Sequence, residues 1–439
     1  MPERLRTLIV GLNYQPEPTG IAPYTAALAV GLSQNGHQVT ANVAHPHYPE
    51  WTIQEGYGQW SRVQQLDGVE VHRLLHYVPG TPRGVWRLIS ELSFGVRLFF
   101  ARWGRPELVI AVSPPLFSTA LAILRLRITP RRPRVVLWVQ DIYTLGLVET
   151  GEGSGLTQRF TRCVEARTLR AADRVVVIHE RFKKFVVHEL GVAASRVVVV
   201  PNWSHLQPSE PVNSDAARLK LGWPANVTLA VHTGNMGAKQ GLENIIDAAS
   251  AADRRNAPVH FILVGDGGER RGLEERARGI SRLTFVDPFA DAEYRLALAA
   301  ADVLLVNEKP GVAAMAMPSK LTSYFAAGRP IVAATDLGGI TASEVTRAEA
   351  GVIVPAGEPD ELLDAVLAVS ADPSAAAQFG RNGRRYCGSE LNQEAAIRKW
   401  IAIIDDISIT SRHGSASSMI WRNSRVSSPC FHRRVDTEE

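Results

Sequence analysis

The chain has 439 residues, a length that corresponds to two or three domains of ordinary size. Hydrophobic residues make up 45% and charged residues 21%, which fits a globular protein and excludes a wholly disordered chain. The three cysteines are far apart in sequence and exclude a disulfide scaffold. The net charge of +4 is mildly basic, without a block of like charges or a nucleic-acid motif. It is compatible with an anionic small ligand or an anionic membrane face.

The amino terminus contains only a short apolar run, which polar residues and prolines interrupt. It predicts a first strand and not a signal peptide. No stretch of about 18 apolar residues occurs anywhere, so no membrane-spanning helix is expected.

Short runs rich in Val, Ile and Leu alternate with helical patterns along most of the chain. Such strands are typical of parallel sheets covered by helices on both faces. The first series comprises Leu5–Asn13, Val39–Ala44, Val69–His76, Leu108–Ser113, Val135–Asp141, Arg174–His179 and Val197–Pro201. The second comprises Thr228–Thr233, His260–Gly265, Leu283–Val286, Val303–Asn307, Pro330–Ala334 and Gly351–Val354. Two series predict an α/β protein with two doubly wound domains.

The polar, proline-containing stretch Trp203–Asn226 is expected to contain the boundary between these domains. We therefore predict a first domain over residues 1–205 and a second over 206–390. A last helical pattern follows, and residues 391–410 are expected to pack back on the first domain. The Ser- and Arg-rich residues 411–439 have no period and are predicted to be disordered.

The turn after the first predicted strand, Tyr14–Ala22, opens a helix. Gly20 permits close approach of another backbone or a ligand, and free N–H groups at a helix start suit an anion. The turn lacks the G-x-G-x-x-G pattern of dinucleotide sites, and an ordinary strand-to-helix turn is the alternative. His45 and His47 follow the second strand, and His179 ends a later one. These histidines are candidates for contact with a sugar or acceptor, or for structural roles. They lack the spacing of a metal site.

The segment Trp86–Trp103 has apolar residues every three or four positions and arginines between them. One interpretation is a helix that buries this stripe on its sheet. The other is an interfacial helix on an anionic membrane, with aromatic side chains inserted and arginines at the headgroups. Both interpretations hold if the apolar face of the helix is wider than the part of it that the sheet covers.

Two glycine-rich turns follow strands of the second series. Thr233–Gly241 brings Gly234 and Lys239 to a helix start, a combination suited to a diphosphate, although a plain turn with a solvated lysine is the alternative. Gly265–Arg270 has G-x-G, but Arg270 replaces the third glycine, so a helix-starting turn is favoured over a dinucleotide site.

The segment Met317–Pro330 has the most specific pattern in the chain. Pro318 precedes a predicted helix that Ser319 caps and Gly328 ends. Ser319 and Lys320 at this helix start predict a second anion site. The alternative is a well-capped helix with a solvated lysine.

Taken in order, these motifs resemble the GT-B-fold glycosyltransferases of family 4, in particular the branch making colanic-acid-type and other exopolysaccharides. The resemblance extends to about residue 408. The motifs that carry it are Tyr14–Gly20, Gly36-His37, Trp138–Asp141, Pro201–Trp203, Gly234-Asn235 with Gln240-Gly241, and Pro318–Lys320.

The resemblance implies two Rossmann-like domains facing across a cleft, with a nucleotide-diphosphate-sugar held mainly by the second domain. Lys320, Lys239 and Asp141 are then the candidate catalytic residues, although Asp141 is alternatively a simple cap for the element after it. The implied donor-binding residues are Gly20, Gly234, Asn235, Gln240, Phe289, Pro318, Ser319, Leu321 and Ser323, with Phe289 near the base and the Leu321 N–H near the diphosphate. His45, His47 and His179 are the acceptor-side candidates.

One departure from the family pattern concerns two glutamates, E-x7-E, that many members carry. Met315 and Ser323 occupy those positions here. The second glutamate binds the ribose in those members, and Ser323 is shorter and neutral. The departure leaves the ribose contacts and the donor identity open.

By this resemblance we expect a retaining hexosyltransferase acting on a lipid-linked or oligosaccharide acceptor in exopolysaccharide biosynthesis. Charge on the leaving diphosphate is then stabilised by lysine and helix N–H groups. No D-x-D pair occurs, so neither a metal nor another cofactor is expected. A cytoplasmic location, with contact to the inner face of the membrane through residues 86–103, follows as a hypothesis. The alternatives are a non-catalytic sugar-nucleotide-binding scaffold and a UDP-sugar 2-epimerase. A dehydrogenase is disfavoured.

Overall fold

The computed structural model describes residues 4–18, 20–80, 84–150, 155–203, 212–311 and 319–420. The first sheet contains eight strands in the order β3-β4-β2-β1-β5-β6-β7-β8. Their bounds are β1 (Arg6–Gly11), β2 (Gln38–Ala44), β3 (Ser61–Leu66), β4 (Val69–Leu74), β5 (Leu108–Ser113), β6 (Arg134–Val139), β7 (Arg174–Val177) and β8 (Val197–Val199). The helices among them are α1 (Ala22–Gln34), α2 (Gly84–Phe100), α3 (Leu116–Ile128), α4 (Tyr143–Thr150), α5 (Gly155–Arg170) and α6 (Glu180–His188), with a 3-10 turn at Ala194–Arg196.

The second sheet contains six parallel strands in the order β11-β10-β9-β12-β13-β14. These are β9 (Thr228–Thr233), β10 (Val259–Val264), β11 (Leu283–Val286), β12 (Val303–Asn307), β13 (Ile331–Ala334) and β14 (Gly351–Val354). The helices are α7 (Ser214–Leu221), α8 (Glu243–Arg255), α9 (Arg270–Arg276), α10 (Asp291–Ala300), α11 (Ser319–Ala327), α12 (Ile340–Ala348), α13 (Pro359–Ala371), α14 (Pro373–Glu390) and α15 (Gln393–Ile420), with a 3-10 turn at Ala238–Gln240.

Both sheets are doubly wound, which confirms the predicted fold class. Each has a hydrophobic core on both faces, and the central strands are almost wholly buried. Strands covered on both sides must be apolar along their whole length, which is why their sequences show runs and not alternation.

The edge strand β3 is absent from the sequence prediction. It pairs antiparallel with β4 through the turn Asp67-Gly68, where φ is +49° and +82°. Its sequence SRVQQL is half exposed and mostly polar, so no apolar run marks it. The Asp-Gly pair, which favours two-residue hairpin turns, is the signal that identifies it.

Helix α2 leaves most of the apolar stripe exposed, although Phe99 is partly buried and Trp103, just beyond the helix, is buried. Trp86, Ile89, Leu92 and Val96 are exposed, while the opposite face packs Phe94 and Leu98 into the core. The interpretation in which the stripe covers the sheet is therefore wrong for these four residues.

Helix α15 returns to the first sheet and packs on it through Trp400. The rings of Trp400 and Trp138 meet edge to face with centroids 5.1 Å apart, and Trp138 stacks on Trp203 at 6.1 Å. Asn202 Nδ2 donates to Gln140 Oε1 at 2.7 Å. The motifs Trp138–Asp141 and Pro201–Trp203 thus contact each other and form part of the surface on which α15 packs.

The helix α15 extends to Ile420, past residue 411, where disorder was predicted to begin. Once a helix is nucleated by packing, each further residue adds one backbone hydrogen bond, so continuation needs no apolar period. Residues 421–439 lie outside the described residues, as does the predicted boundary at residues 205 and 206.

Candidate active site

The candidate residues lie at the carboxyl ends of strands, and several of them lie where the sheet changes winding direction. In the first sheet β1 lies between β2 and β5, and in the second β9 lies between β10 and β12. Connections from neighbouring strands then run to opposite faces and leave a crevice, which is where doubly wound folds bind ligands.

The turn after β9 is fixed against the turn after β10. The Met236 N–H donates to Asp266 O at 2.8 Å, and the Glu269 N–H donates to Met236 O at 3.0 Å. A side-chain carbon on Gly265 would lie 1.9 Å from Gly234 O. The glycines after β10 are therefore required for close packing of two backbones.

Two side chains hold the turn after β9 by hydrogen bonds, and a third is exposed at the crevice. Gln240 Oε1 accepts the Gly237 N–H at 3.1 Å, so this side chain shapes the loop. Asn307 Nδ2, at the end of β12, donates to the carbonyls of Gln240 and Gly241 at 2.7 and 2.8 Å. Asn235 is exposed at the crevice.

Lys320, the second residue of α11, lies over this turn. A side-chain carbon on Gly234 would be 3.9 Å from Lys320 Nζ. The ammonium group is 2.9 Å from His232 Nε2 on β9. Burial lowers the pKa of Lys320 to about 7, and the carboxylate of Glu308 opposes that shift.

Lys320 belongs to the first turn of α11, so the amino terminus of this helix lies beside the same Gly234 turn. Leu321 is in the first turn, where N–H groups have no acceptor within the helix, and its side chain is buried in the core. Gly328 ends the helix with φ of +67°, as predicted. Pro318 and the side chain of Ser319 lie outside the described residues.

Ser323, one turn further along α11, belongs to a network of hydroxyl groups. It is hydrogen-bonded to the phenol of Tyr294, which in turn lies 3.4 Å from Thr233 Oγ1. The Thr233 N–H donates to the Tyr324 phenol at 2.8 Å. These neutral groups surround the position where many family members have a glutamate. Met315 lies outside the described residues.

Two more side chains follow strands at this edge of the second sheet. Phe289, after β11, is partly buried, and its ring lies 6.4 Å from that of Trp223. Glu308, after β12, accepts hydrogen bonds from the hydroxyl groups of Thr335 and Thr341. Glu308 is therefore held in place close to Lys320.

Asp141 follows β6 and lies on the first-domain side of the crevice. Its Oδ1 accepts the N–H of the next residue, Ile142, at 2.8 Å, whereas the first N–H groups of α4, those of Tyr143 and Thr144, donate to Glu165. Burial raises the pKa of Asp141, while the Ile142 N–H and the positive charges of Lys239 and Arg87 oppose the shift. Lys239 belongs to the turn after β9, so the two candidate catalytic residues interact across the crevice.

A cleft of about 230 Å³ opens beside the loop after β1. Gly20, His47 and Trp51 line it, together with Arg87 and Glu91 on α2. His47 Nδ1 is 2.9 Å from His45 O, and its Nε2 is buried without a partner among the described residues. His47 is therefore a wall residue of this cleft, and the ring nitrogen that has no partner in the described part of the chain is itself buried.

Glu17, which is not among the residues predicted from the sequence, connects the loops after β1 and β2. Its Oε1 accepts the N–H groups of His47 and Tyr48 at 2.8 and 3.0 Å, and its Oε2 accepts Asn13 Nδ2 at 2.9 Å. A buried carboxylate with three donors sets the loop that carries His47. His45 points away and binds Gln59 O at 2.8 Å.

His179 is placed between the two sheets. Its Nδ1 accepts the Arg181 N–H at 3.1 Å, so it caps α6, and its Nε2 is 3.2 Å from Glu344 Oε1 on α12. It is thus a contact between the two halves of the chain.

Three further residues of the site were not predicted from the sequence: His232, Asn307 and Glu308. The signal for each was a polar residue inside or directly after an otherwise apolar strand. Polar side chains in a buried strand need hydrogen-bond partners, so their presence in the sequence indicates a polar site in the interior.

No group of three or more His, Cys, Asp or Glu side chains in the described ranges is arranged to hold a metal ion. In the same part of the chain, no helix combines the length and apolarity that crossing a membrane requires.

Comparison with known proteins agrees with this architecture. Residues 19–203 match the model of the glycosyl transferase 4-like domain, and residues 228–372 match that of glycosyl transferases group 1. The chain is 33% identical to the "Putative colanic acid biosynthesis glycosyl transferase WcaI" of Escherichia coli (strain K12), over 90% of this chain and 99% of that one.

Solved structures share the fold at low sequence identity. Sucrose-phosphate synthase from Thermosynechococcus elongatus has a TM-score of 0.70 at 20% identity and covers 93% of this chain and 100% of its own. Anabaena Alr3699/HepE in complex with UDP has a TM-score of 0.67 at 16% identity, over 92% and 100%. The family models, the relative and the two doubly wound sheets together show that the chain belongs to the GT-B glycosyltransferases with a 4-like first domain and a group 1 second domain.

Proposed function

We propose that this protein is a retaining glycosyltransferase that moves a hexose from a nucleotide-diphosphate-sugar to a lipid-linked or oligosaccharide acceptor in exopolysaccharide biosynthesis. The observation that carries the proposal is the position of Lys320 Nζ over the Gly234 turn, at the amino end of α11. A cation, free helix N–H groups and an open glycine turn are the features that bind a diphosphate.

The same cation and helix N–H groups also assist the transfer step. As the bond from the sugar to the diphosphate breaks, negative charge grows on the leaving phosphate. Lys320 and the first N–H groups of α11 are positioned to stabilise that charge. Lys239 adds a second positive charge from the turn after β9, near Asp141. Retention follows if the acceptor hydroxyl attacks from the face that the diphosphate leaves and gives its proton to the departing phosphate oxygen.

The acceptor is proposed to enter at the cleft lined by Gly20, His47 and Trp51. Trp51 offers a ring for packing against a sugar. Relatives support the substrate class: one bears a colanic acid biosynthesis name, and the HepE structures contain UDP or UDP-glucose.

The test is a donor screen without added metal. UDP-, GDP-, TDP- and ADP-sugars are mixed with the protein, and nucleotide diphosphate release and thermal shift are followed. One donor is expected to stabilise the fold and to be hydrolysed slowly. Lys320→Ala should abolish both effects, whereas Lys220→Ala, at an exposed lysine on α7, should change neither. Chelator should leave the rate unchanged, and an NMR spectrum of the product should show the donor's anomeric configuration.

A scaffold that binds sugar nucleotides without transfer is the second candidate, because Ser323 stands where a ribose-binding carboxylate is expected. It is favoured if a donor stabilises the fold but no nucleotide diphosphate is released with any acceptor. If no donor binds at all, the transferase proposal is wrong.

We also propose that the first domain contacts the cytoplasmic face of the membrane. Helix α2 packs on α3, and α3 packs on α5. All three helices expose large apolar side chains: Val85, Trp86, Ile89, Leu92, Val96, Phe100, Leu124, Ile128, Leu156 and Phe160. Arg127, Arg131, Arg132 and Arg159 are exposed on or next to α3 and α5. Apolar side chains with arginines beside them suit anionic lipid.

Flotation with phosphatidylglycerol and phosphatidylcholine vesicles tests this contact. The wild type should float with anionic vesicles, and a Trp86→Ser, Ile89→Ser double variant should float less. Leu219→Ser on α7 removes an apolar side chain that is even more exposed, and this variant should float like the wild type. No flotation of the wild type removes the membrane proposal.

A further inference from the structure

His232 is an anomaly in its strand. It is the fifth residue of β9, wholly buried, and its neighbours on the strand are Leu229, Ala230, Val231 and Thr233. A central parallel strand is normally apolar throughout, because both faces are covered. A histidine there must find hydrogen-bond partners for two ring nitrogens or cost stability.

Both nitrogens have partners, and these partners fix which one carries the proton. Nδ1 lies 3.2 Å from the carbonyl of Leu305 on β12. Since a carbonyl only accepts, Nδ1 must donate, and in a neutral ring Nε2 is then an acceptor. Burial lowers the pKa of His232 well below its usual value, and the charge of Lys320 lowers it further, so the ring is neutral.

The acceptor nitrogen points at Lys320. Nζ is 2.9 Å from His232 Nε2, so the ammonium donates to the ring. The other ionisable side chains near Lys320 are Glu308, which is held by Thr335 and Thr341, and the phenols of Tyr294 and Tyr324 beside Thr233. His232, the group that accepts from Lys320 Nζ, is thus neutral.

A neutral acceptor does not neutralise the charge of Lys320, whereas a carboxylate would. A carboxylate at position 232 would form a buried ion pair and compete with an incoming anion. An imidazole orients the same ammonium without cancelling its charge. We propose that His232 is a positioning residue that holds Lys320 Nζ over the Gly234 turn and keeps its charge available for the diphosphate of the donor. The inference rests on the proposed function and assigns a role to a residue outside the family motifs.

Three substitutions separate this role from a packing role. In His232→Gln the side-chain oxygen can take the place of Nε2 and accept from Lys320. In His232→Asn the shorter amide can reach Leu305 but not Lys320. His232→Leu fills the space without an acceptor. Circular dichroism and thermal unfolding of each variant establish that it folds.

The first measurement needs no donor. The chain has few lysines, so their amines can be dimethylated with ¹³C and followed by NMR, with the Lys320 signal assigned by its loss in Lys320→Arg. Removing an acceptor from the ammonium disfavours its charged form. The titration midpoint of Lys320 should therefore fall in His232→Asn and His232→Leu and stay near the wild-type value in His232→Gln. A midpoint that does not move in His232→Leu overturns the proposal, whatever the donor screen gives.

The second measurement uses inorganic pyrophosphate as the probe, in calorimetric titrations at pH 7. Lys320→Ala should abolish binding, and His232→Leu and His232→Asn should weaken it about tenfold, the usual effect of losing one hydrogen bond to a charged group. His232→Gln should bind like the wild type. Equal binding by His232→Leu and the wild type shows that the histidine has no positioning role, although the proposed function stands. If the wild type binds neither pyrophosphate nor any nucleotide sugar, the proposed function fails together with the purpose assigned to the pair.

Discussion

His179 Nε2 lies 3.2 Å from Glu344 Oε1, and this contact joins the end of the first sheet to helix α12 beside the second. Tyr386 also donates to Glu344, at 2.7 Å to Oε2. Next to this pair, Arg181 donates to Gly338 O at 2.8 Å. The two sheets are therefore connected by directed polar contacts as well as by the packing of α15.

This contact predicts an acid-sensitive contribution to stability. Burial alone raises the pKa of Glu344, but hydrogen bonds from His179 and Tyr386 and the charge of Arg347 outweigh it, so the net pKa is below the usual 4.5. The stabilisation is therefore present above pH 4.5 and is lost as the pH falls through the lowered value.

Glu344→Gln should remove this pH dependence, and Glu344→Ala should cost about 1–3 kcal/mol because it leaves buried donors without an acceptor. Urea unfolding between pH 3 and 8 measures both effects. Glu390→Gln, at a half-exposed glutamate that pairs with Arg347 at 3.7 Å, is the control and should change little. Equal pH profiles for Glu344→Gln and the wild type would contradict the assignment.

The contact between the turns after β9 and β10 predicts that Gly265 tolerates no side chain. With φ of +144°, an added carbon would lie 1.9 Å from Gly234 O, which is backbone and cannot move aside cheaply. Gly265→Ala should destabilise the fold by about 3 kcal/mol or more and weaken donor binding, since the Gly234 turn must shift.

The control for this substitution lies three residues away. Gly268→Ala places its carbon where no atom lies within 4 Å, so unfolding should be nearly unchanged. Thermal unfolding of both variants, followed by titration with the donor, separates the effects. A stable Gly265→Ala protein would show that the two turns are not rigidly packed.

Most of the fold was predictable because both sheets are covered on both faces, and burial forces an apolar sequence. The strand Leu108–Ser113, for example, has the predicted bounds, and every residue in it is buried. Strand β3 was missed since one of its faces is open and burial imposes no run. The sequence left two interpretations of α2 open, because an apolar stripe shows that a face is apolar but not which surface covers it.

The candidate site was less predictable than the fold. Lys320 could be selected because a proline, a capping residue and a glycine mark its helix in sequence. His232 and Glu17 could not, because their roles depend on partners 88 and about 30 residues distant. Contacts of that kind follow from strand order and loop geometry, which a pattern along one segment does not contain.

Helix α15 is predicted to be essential for the first domain. Trp400 is fully buried against Trp138, so Trp400→Ala should cost about 3–5 kcal/mol, the typical loss for truncating a buried aromatic side chain. Lys399→Ala, at the exposed neighbouring position, should stay within about 0.5 kcal/mol of the wild type. Chemical denaturation measures both, and a mild effect at Trp400 would show that the helix is dispensable.

The buried carboxylate of Asp141 is predicted to lower the stability of the folded protein at neutral pH. Its folded pKa is above the usual 3.8, so the folded state holds the proton more tightly than the unfolded chain does. The ionised carboxylate therefore costs stability at neutral pH, and the cost disappears as the pH falls through the raised pKa toward 3.8. Asp141→Asn keeps an oxygen for the Ile142 N–H but removes the charge.

The Asn variant should unfold a few degrees higher than the wild type at pH 7, and the difference should close as the pH is lowered. Its transfer rate should fall roughly tenfold or more if the carboxylate acts on the sugar or acceptor. Asp173→Asn, at a partly exposed aspartate paired with Arg134 at 3.3 Å, is the control for charge alone. Higher stability with an unchanged rate would limit the role of Asp141 to its local hydrogen bond with the Ile142 N–H. Lower stability at neutral pH would instead mean that Lys239 and Arg87 more than compensate the buried charge.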